Sequence, residues 1–93
     1  MSLPASTERI VFSGRVQGVG FRYTVRSIAK RLPIAGYVRN LPEGTVEVVV
    51  RGTPQSINDF LAEVSLRFRD NIVGIERSAD CAEDASVGFE IRF

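Results

Sequence analysis
An α+β sandwich, a single antiparallel sheet with two helices on one face, is the fold the sequence predicts. Three observations carry it. Segments with apolar residues at every second position alternate with two segments striped at helical spacing. Their order is strand, helix, strand, strand, helix, strand, with one short strand to follow. Turn residues stand between the segments, and neither a composition shift nor a close internal repeat divides the chain.

Residues 8–16 form the first expected strand, with Ile10, Phe12, Gly14 and Val16 on one face. A glycine-bearing loop follows. From Arg22 to Leu32 the apolar residues Val25, Ile28, Ala29 and Leu32 recur at i, i+3, i+4 and i+7, the stripe of an amphipathic helix that Pro33 ends. Residues 34–41 alternate again, Pro42-Glu43-Gly44 supplies a turn, and in residues 45–51 Val46, Val48 and Val50 face one way, which predicts a hairpin. Thr53 can cap a second helix with Pro54 in its first turn, and Ile57, Phe60, Leu61, Val64 and Phe68 mark the buried stripe of a helix ending near Asp70. Residues 72–79 form a fourth strand. Val87, Phe89, Ile91 and Phe93, at period two, form a fifth. This is the split βαβ order of ferredoxin-like sandwiches. Its first helix is a crossover, so the first two strands run parallel and deliver the loop after Val16 and the strand-end residue Asn40 to the same side of the sheet.

Composition narrows the chemistry. At 93 residues, 44% hydrophobic and 25% charged, the chain matches an ordinary globular domain, expected over residues 8–93 behind a flexible tail at 1–7. No apolar run approaches the roughly 20 residues that cross a bilayer. The first residues lack a secretion signal's basic start and apolar core, so the cytoplasm is the expected location. Cys81 is the single cysteine, which excludes an internal disulfide and cysteine-rich metal sites. Without an activating partner it reads as neither ligand nor nucleophile. There is no histidine, which removes imidazole bases, phosphohistidine intermediates and histidine-assisted nucleophiles. Of the twelve basic residues only Lys30 is Lys, so the cationic chemistry belongs to Arg, whose planar fork suits oxyanions. The net charge of +1 argues against a protein built to grip long nucleic acid, and a monomer is expected.

The loop Val16-Gln17-Gly18-Val19-Gly20-Phe21-Arg22 is where chemistry concentrates. Two glycines let the backbone curl with its N–H groups inward, the next helix adds its positive end, and Arg22 stands at the lip. A phosphate or carboxylate is the expected guest. The alternative is structural: glycines serving only a tight connection, with a solvated Arg in the first helical turn. Asn40 has a similar alternative, a strand-end residue that satisfies nearby backbone groups. The loop lacks the Gly-Lys-Ser/Thr end of a Walker A motif and the third glycine of a dinucleotide fingerprint. A cysteine phosphatase loop would need Cys at Val16. An RNA-recognition sheet would need stacking aromatics on its third strand, where residues 45–51 have none. Arg39, pointing away from Asn40, reads as a solvated strand residue, and Glu47 and Glu90 as exposed strand carboxylates.

The segments Gly14-Arg15-Val16-Gln17-Gly18-Val19-Gly20-Phe21-Arg22, Gly36-Tyr37-Val38-Arg39-Asn40 and Gly44-Thr45-Val46-Glu47 resemble the acylphosphatase family, with similarity running from about Arg9 to the closing Phe89-Glu90-Ile91-Arg92-Phe93. The resemblance implies hydrolysis of the carboxyl-phosphate anhydride of acyl phosphates, yielding inorganic phosphate, with no metal and no organic cofactor. It implies two catalytic residues, Arg22 and Asn40, beside a substrate-binding loop of Gln17, Gly18, Val19, Gly20 and Phe21. Two departures accompany it. Tyr37 stands where relatives often have Trp, and Asp70-Asn71-Ile72-Val73 lacks the Pro-containing turn expected there. The competing expectation is a non-catalytic module of the same fold that binds an anion or a phosphorylated metabolite. Similar domains open larger carbamoyl-transfer maturation proteins, but no zinc-finger cysteines occur here, so a free-standing enzyme is expected.

Overall fold
The computed structural model describes residues 5–80 and 88–93; Cys81 and Val87 lie outside the described residues. Seven elements follow in order: β1 (Ser6–Gly14), α1 (Phe21–Lys30), β2 (Ala35–Asn40), β3 (Val46–Gly52), α2 (Pro54–Arg67), β4 (Ile72–Ala79) and β5 (Phe89–Arg92). The strands make one sheet in the order β4-β1-β3-β2-β5. β1, β2, β3 and β4 pair antiparallel, as expected of a ferredoxin-like α+β sandwich. The expectation of a wholly antiparallel sheet needs one correction. β5 lies parallel to β2, because the chain leaves β4 at one edge and returns along the opposite edge in β2's direction.

The helices are closed by local chemistry. Thr53 caps α2, its Oγ1 accepting from the Ser56 N–H at 3.2 Å, with Pro54 in the first turn, where a missing N–H costs nothing. α1 buries Phe21, Val25, Ile28 and Ala29, one stripe facing the sheet. They meet Ile10 and Phe12 of β1, Val38 of β2, and Val46, Val48 and Val50 of β3, with Ile57, Phe60 and Val64 of α2 in the same core. Phe21 packs between Phe12 and Phe68, ring centroids 5.2 and 4.7 Å away. Burying such side chains contributes roughly 1.5–3 kcal/mol each. No described helix is long and apolar enough to cross a membrane.

Two boundaries differ from expectation. β1 starts at Ser6, within the stretch assigned to the tail, because the far end of β3 offers partners: Ser6 stands opposite Gly52 and Thr7 opposite Arg51. It ends at Gly14, where φ is +116° and the register against β4 shifts. Val16 then enters the core from the loop rather than from the strand.

Glu47 also departs from expectation. It is 4% exposed, on the sheet face opposite the helices, where Arg9 Nε from β1 and Arg39 Nε from β2 each donate to its carboxylate at 2.6 Å. Burial opposes the charged carboxylate, but the hydrogen bonds from Arg39 and Arg9 and their charges outweigh it, so Glu47 titrates below the ordinary glutamate value. Arg39 is correspondingly held more firmly protonated, chiefly by its hydrogen bond to Glu47. Glu90 does stay on the surface, paired with Arg92 at 2.9 Å.

A carboxyl depressed in the folded state stabilises fully above its unfolded value, near 4.3, and that contribution fades as pH falls through the folded value. Glu47→Gln should therefore cost about 1–3 kcal/mol at pH 7, less than a fully buried pair because both arginines are half-exposed. The gap from wild type should shrink toward pH 3. Urea unfolding at the two pH values checks this, and an equal gap at both would contradict the ion-pair account.

Candidate active site
The loop between β1 and α1 takes the shape its glycines permit. Gly18 and Gly20 hold φ of +76° and +77°, while Gln17, Val19 and Phe21 keep negative φ. Alternation of sign is the conformation in which successive amides converge into an anion-binding concavity. Gly20 is also the N-cap of α1. No side chain caps this end, and no acidic residue stands in the first turn, so the first amides of α1 are left to a ligand or solvent. A Cβ added at Gly18 or Gly20 would meet no atom within 4 Å, so glycine is required there by backbone conformation and not by crowding.

A cavity of about 180 Å³ opens on this loop, lined by Val16, Gly18, Gly20, Phe21, Arg22, Tyr23 and Asn40. Arg22 and Asn40, 18 residues apart in sequence, thus share one wall-to-wall space. Gly18, Gly20 and Phe21 of the expected binding loop line it too. Phe21 is also part of the core. Gln17 and Val19 do not line it. Val19 is surface-exposed, and the Gln17 side chain turns toward the β2–β3 turn, where its Nε2 donates to Leu41 O and Thr45 O, both at 2.9 Å. The loop's start is tied to the segment before β4. Arg15 N donates to Asn71 O at 2.8 Å, and Asn71 Nδ2 donates back to Arg15 O at 3.2 Å.

Asn40 and Arg22 differ in environment. Asn40 lines the cavity, and its Oδ1 is buried with no hydrogen-bond partner among the described residues, an acceptor left without a donor. The Arg22 guanidinium has no carboxylate partner among the described residues; its carbon lies 4.8 Å from the centroid of the Phe93 ring. Cation–π stacking uses the face of the guanidinium and leaves the N–H donors at its edge free to grip an anion. Tyr23 and Phe93 were invisible to sequence reasoning. Helical spacing could have placed Tyr23 beside Arg22, but no local pattern joins Phe93 to a residue 71 positions earlier.

An unpartnered acceptor, an Arg fork and a curl of amides around a small cavity suit a tetrahedral oxyanion with a water beside it. The acylphosphatase family model matches residues 8–91. The acylphosphatase of Methanospirillum hungatei is 48% identical over 56 residues, 60% of this chain and 62% of that protein. The acylphosphatase of Rubrobacter xylanophilus is 39% identical over 87 residues, covering 90% of this chain and 77% of that one. The crystal structure of acylphosphatase from Bacillus subtilis superposes with a TM-score of 0.81 at 29% identity, covering 94% and 98% of the two chains. The chain spans less than two-thirds of the first of these relatives and about three-quarters of the second. With the family model matched across nearly its whole length and the same fold in the solved relative, the chain belongs to the acylphosphatase family.

Proposed function
We propose that the chain hydrolyses acyl phosphates to a carboxylate and inorganic phosphate. The observation that carries this is one small cavity lined by Arg22, Asn40 and the left-handed glycines, with the Asn40 Oδ1 buried and unpartnered among the described residues. The backbone amides of residues 17–21 and the Arg22 fork hold the phosphoryl oxygens and spread their charge. Asn40 Oδ1 accepts a hydrogen bond from a water and aims its oxygen at phosphorus. As the new P–O bond forms, the P–O bond to the acyl group breaks and its electron pair leaves on the carboxylate. The water's proton passes to a phosphoryl oxygen of the substrate. The leaving carboxylate is a weak base that needs no acid to assist it, and positioning plus charge stabilisation suffices. A histidine-free chain can run this reaction. The same proposal carries a small-molecule partner, no nucleic acid or membrane partner, and action as a cytoplasmic monomer.

The deciding assay sets benzoyl phosphate or acetyl phosphate, with chelator present, beside a phosphate monoester. Cleavage of the anhydride alone, indifferent to chelator, is expected. Phosphate binding without turnover would instead make the chain a non-catalytic binding module. Arg22→Ala should lose both phosphate affinity and turnover, with kcat/KM down on the order of 10³-fold. Asn40→Ala should lose on the order of 10²-fold in kcat while phosphate affinity holds within about twofold. Unaltered turnover in Asn40→Ala sinks the water-orienting role. Gly20→Ala should fold at a cost of about 1–2 kcal/mol, since only backbone strain opposes it, and should weaken phosphate binding as the amides are turned out of line. Calorimetric phosphate titration beside thermal unfolding separates the two effects.

A further inference from the structure
We infer that Gln17 is a positioning residue whose side chain fixes Asn40 relative to the anion cradle without touching the phosphoryl group. The inference rests on the hydrolytic reading above. Gln17 Nε2 gives one hydrogen to Leu41 O and the other to Thr45 O, each at 2.9 Å. Those carbonyls close the turn between β2 and β3. Leu41 O also accepts from Gly44 N at 3.1 Å, and Thr45 O from Leu41 N at 2.9 Å. Each oxygen thus takes two hydrogen bonds, its full complement of lone pairs, and Gln17 supplies the second to both.

Among the described residues these two are the hydrogen bonds that join the loop to the turn. Asn40 is the last residue of β2, directly before Leu41, and nothing among the described residues hydrogen-bonds its Oδ1. Its side chain is therefore placed by the backbone it hangs from, and Gln17 fastens that backbone to the loop. The cradle does not depend on this fastening. Its amides and Arg22 ride on the loop and α1, and the loop is braced on its other flank by Asn71. A primary amide of this length is needed, because two carbonyl acceptors demand two donors from one nitrogen. Glu offers none and would set a carboxylate against two carbonyl oxygens, while Leu leaves both lone pairs without their second donor.

Loss of the clamp should let the water-orienting amide drift while the phosphoryl group stays held, and displacement of about 1 Å at a reacting centre costs up to 10²-fold in rate. In the full chain, Gln17→Leu and Gln17→Glu should lower kcat for benzoyl phosphate by about tenfold or more, with the inhibition constant of inorganic phosphate within about twofold of wild type. Gln17→Leu added to Asn40→Ala should lower kcat no further, since the clamp acts only through Asn40. Should Gln17→Leu fail to fold, Gln17→Asn keeps the amide but falls one methylene short, and the same pattern is expected of it. Additive losses in the double variant overturn the proposal, as does phosphate inhibition that weakens in step with kcat, which would place the Gln17 side chain in the cradle beside its backbone amide. A wild-type chain that cleaves no acyl phosphate sinks the hydrolytic reading alone. The clamp is then read from the side-chain amide NMR signal of Asn40, which should shift in Gln17→Leu, and an unmoved signal overturns it.

Discussion

One row of backbone pairing organises the molecule. Val46 of β3 stands opposite Phe12 of β1 on one side and opposite Asn40 of β2 on the other. β3 therefore acts as a ruler between two strands that never pair with each other, and it brings the exit of β1 level with the end of β2. The loop that leaves β1 can then curl beside Asn40 without any long excursion. Strand side chains alternate with period two, so a slip of one residue in the β2–β3 pairing would turn Asn40 toward the open face and empty the cavity of its amide. The right-handed crossover through α1 sets the direction of approach, and this register sets the distance.

Both faces of the sheet specify that register. On the helix face Val46, Val48 and Val50 are fully buried against the helices. On the opposite face Glu47 of the same strand takes one guanidinium from β1 and one from β2. A shifted strand would bury the carboxylate without its partners, a larger loss than the modest worth of the pairs themselves. The ion-pair cluster thus contributes more to uniqueness of pairing than to raw stability, and it lies one row from the residue on which the site depends. Gln17 extends the same logic beyond the sheet, fixing the loop to the turn that the register has placed.

Much of this was legible in the residues themselves. Alternation and helical stripes set out every element, Thr53 and Pro54 announced the start of α2, and the glycines around Val19 announced a curl with Arg22 at its lip. What sequence could not carry were relations between distant segments. Alternation puts Glu47 on the outward face, which is right, but says nothing of two arginines closing over it. Polar Ser6 and Thr7 have no strand signature of their own and become strand because the end of β3 is there to pair with. The direction of β5 depends on which edge the returning chain finds, which short alternating segments do not encode. Gln17 sits in a motif that reads as phosphate-binding throughout, so only coordinates separate its backbone, which belongs to the loop, from its side chain, which belongs to the turn.

The division of labour in the cavity follows from which groups can be held without water. Backbone amides and a guanidinium carry their positive character at any pH near neutrality, so the cradle needs no tuned acid or base and the absence of histidine costs it nothing. The Phe93 ring, itself 95% exposed, lies 4.8 Å from the Arg22 guanidinium carbon, and no carboxylate among the described residues pairs with Arg22. Had a carboxylate paired with Arg22, it would have competed directly with an incoming phosphate for the same N–H groups. The water-orienting role proposed for Asn40 suits a carboxamide for a related reason. A carboxylate there would aim a water equally well but would repel an anionic substrate at close range, whereas a neutral carboxamide offers an acceptor without the charge.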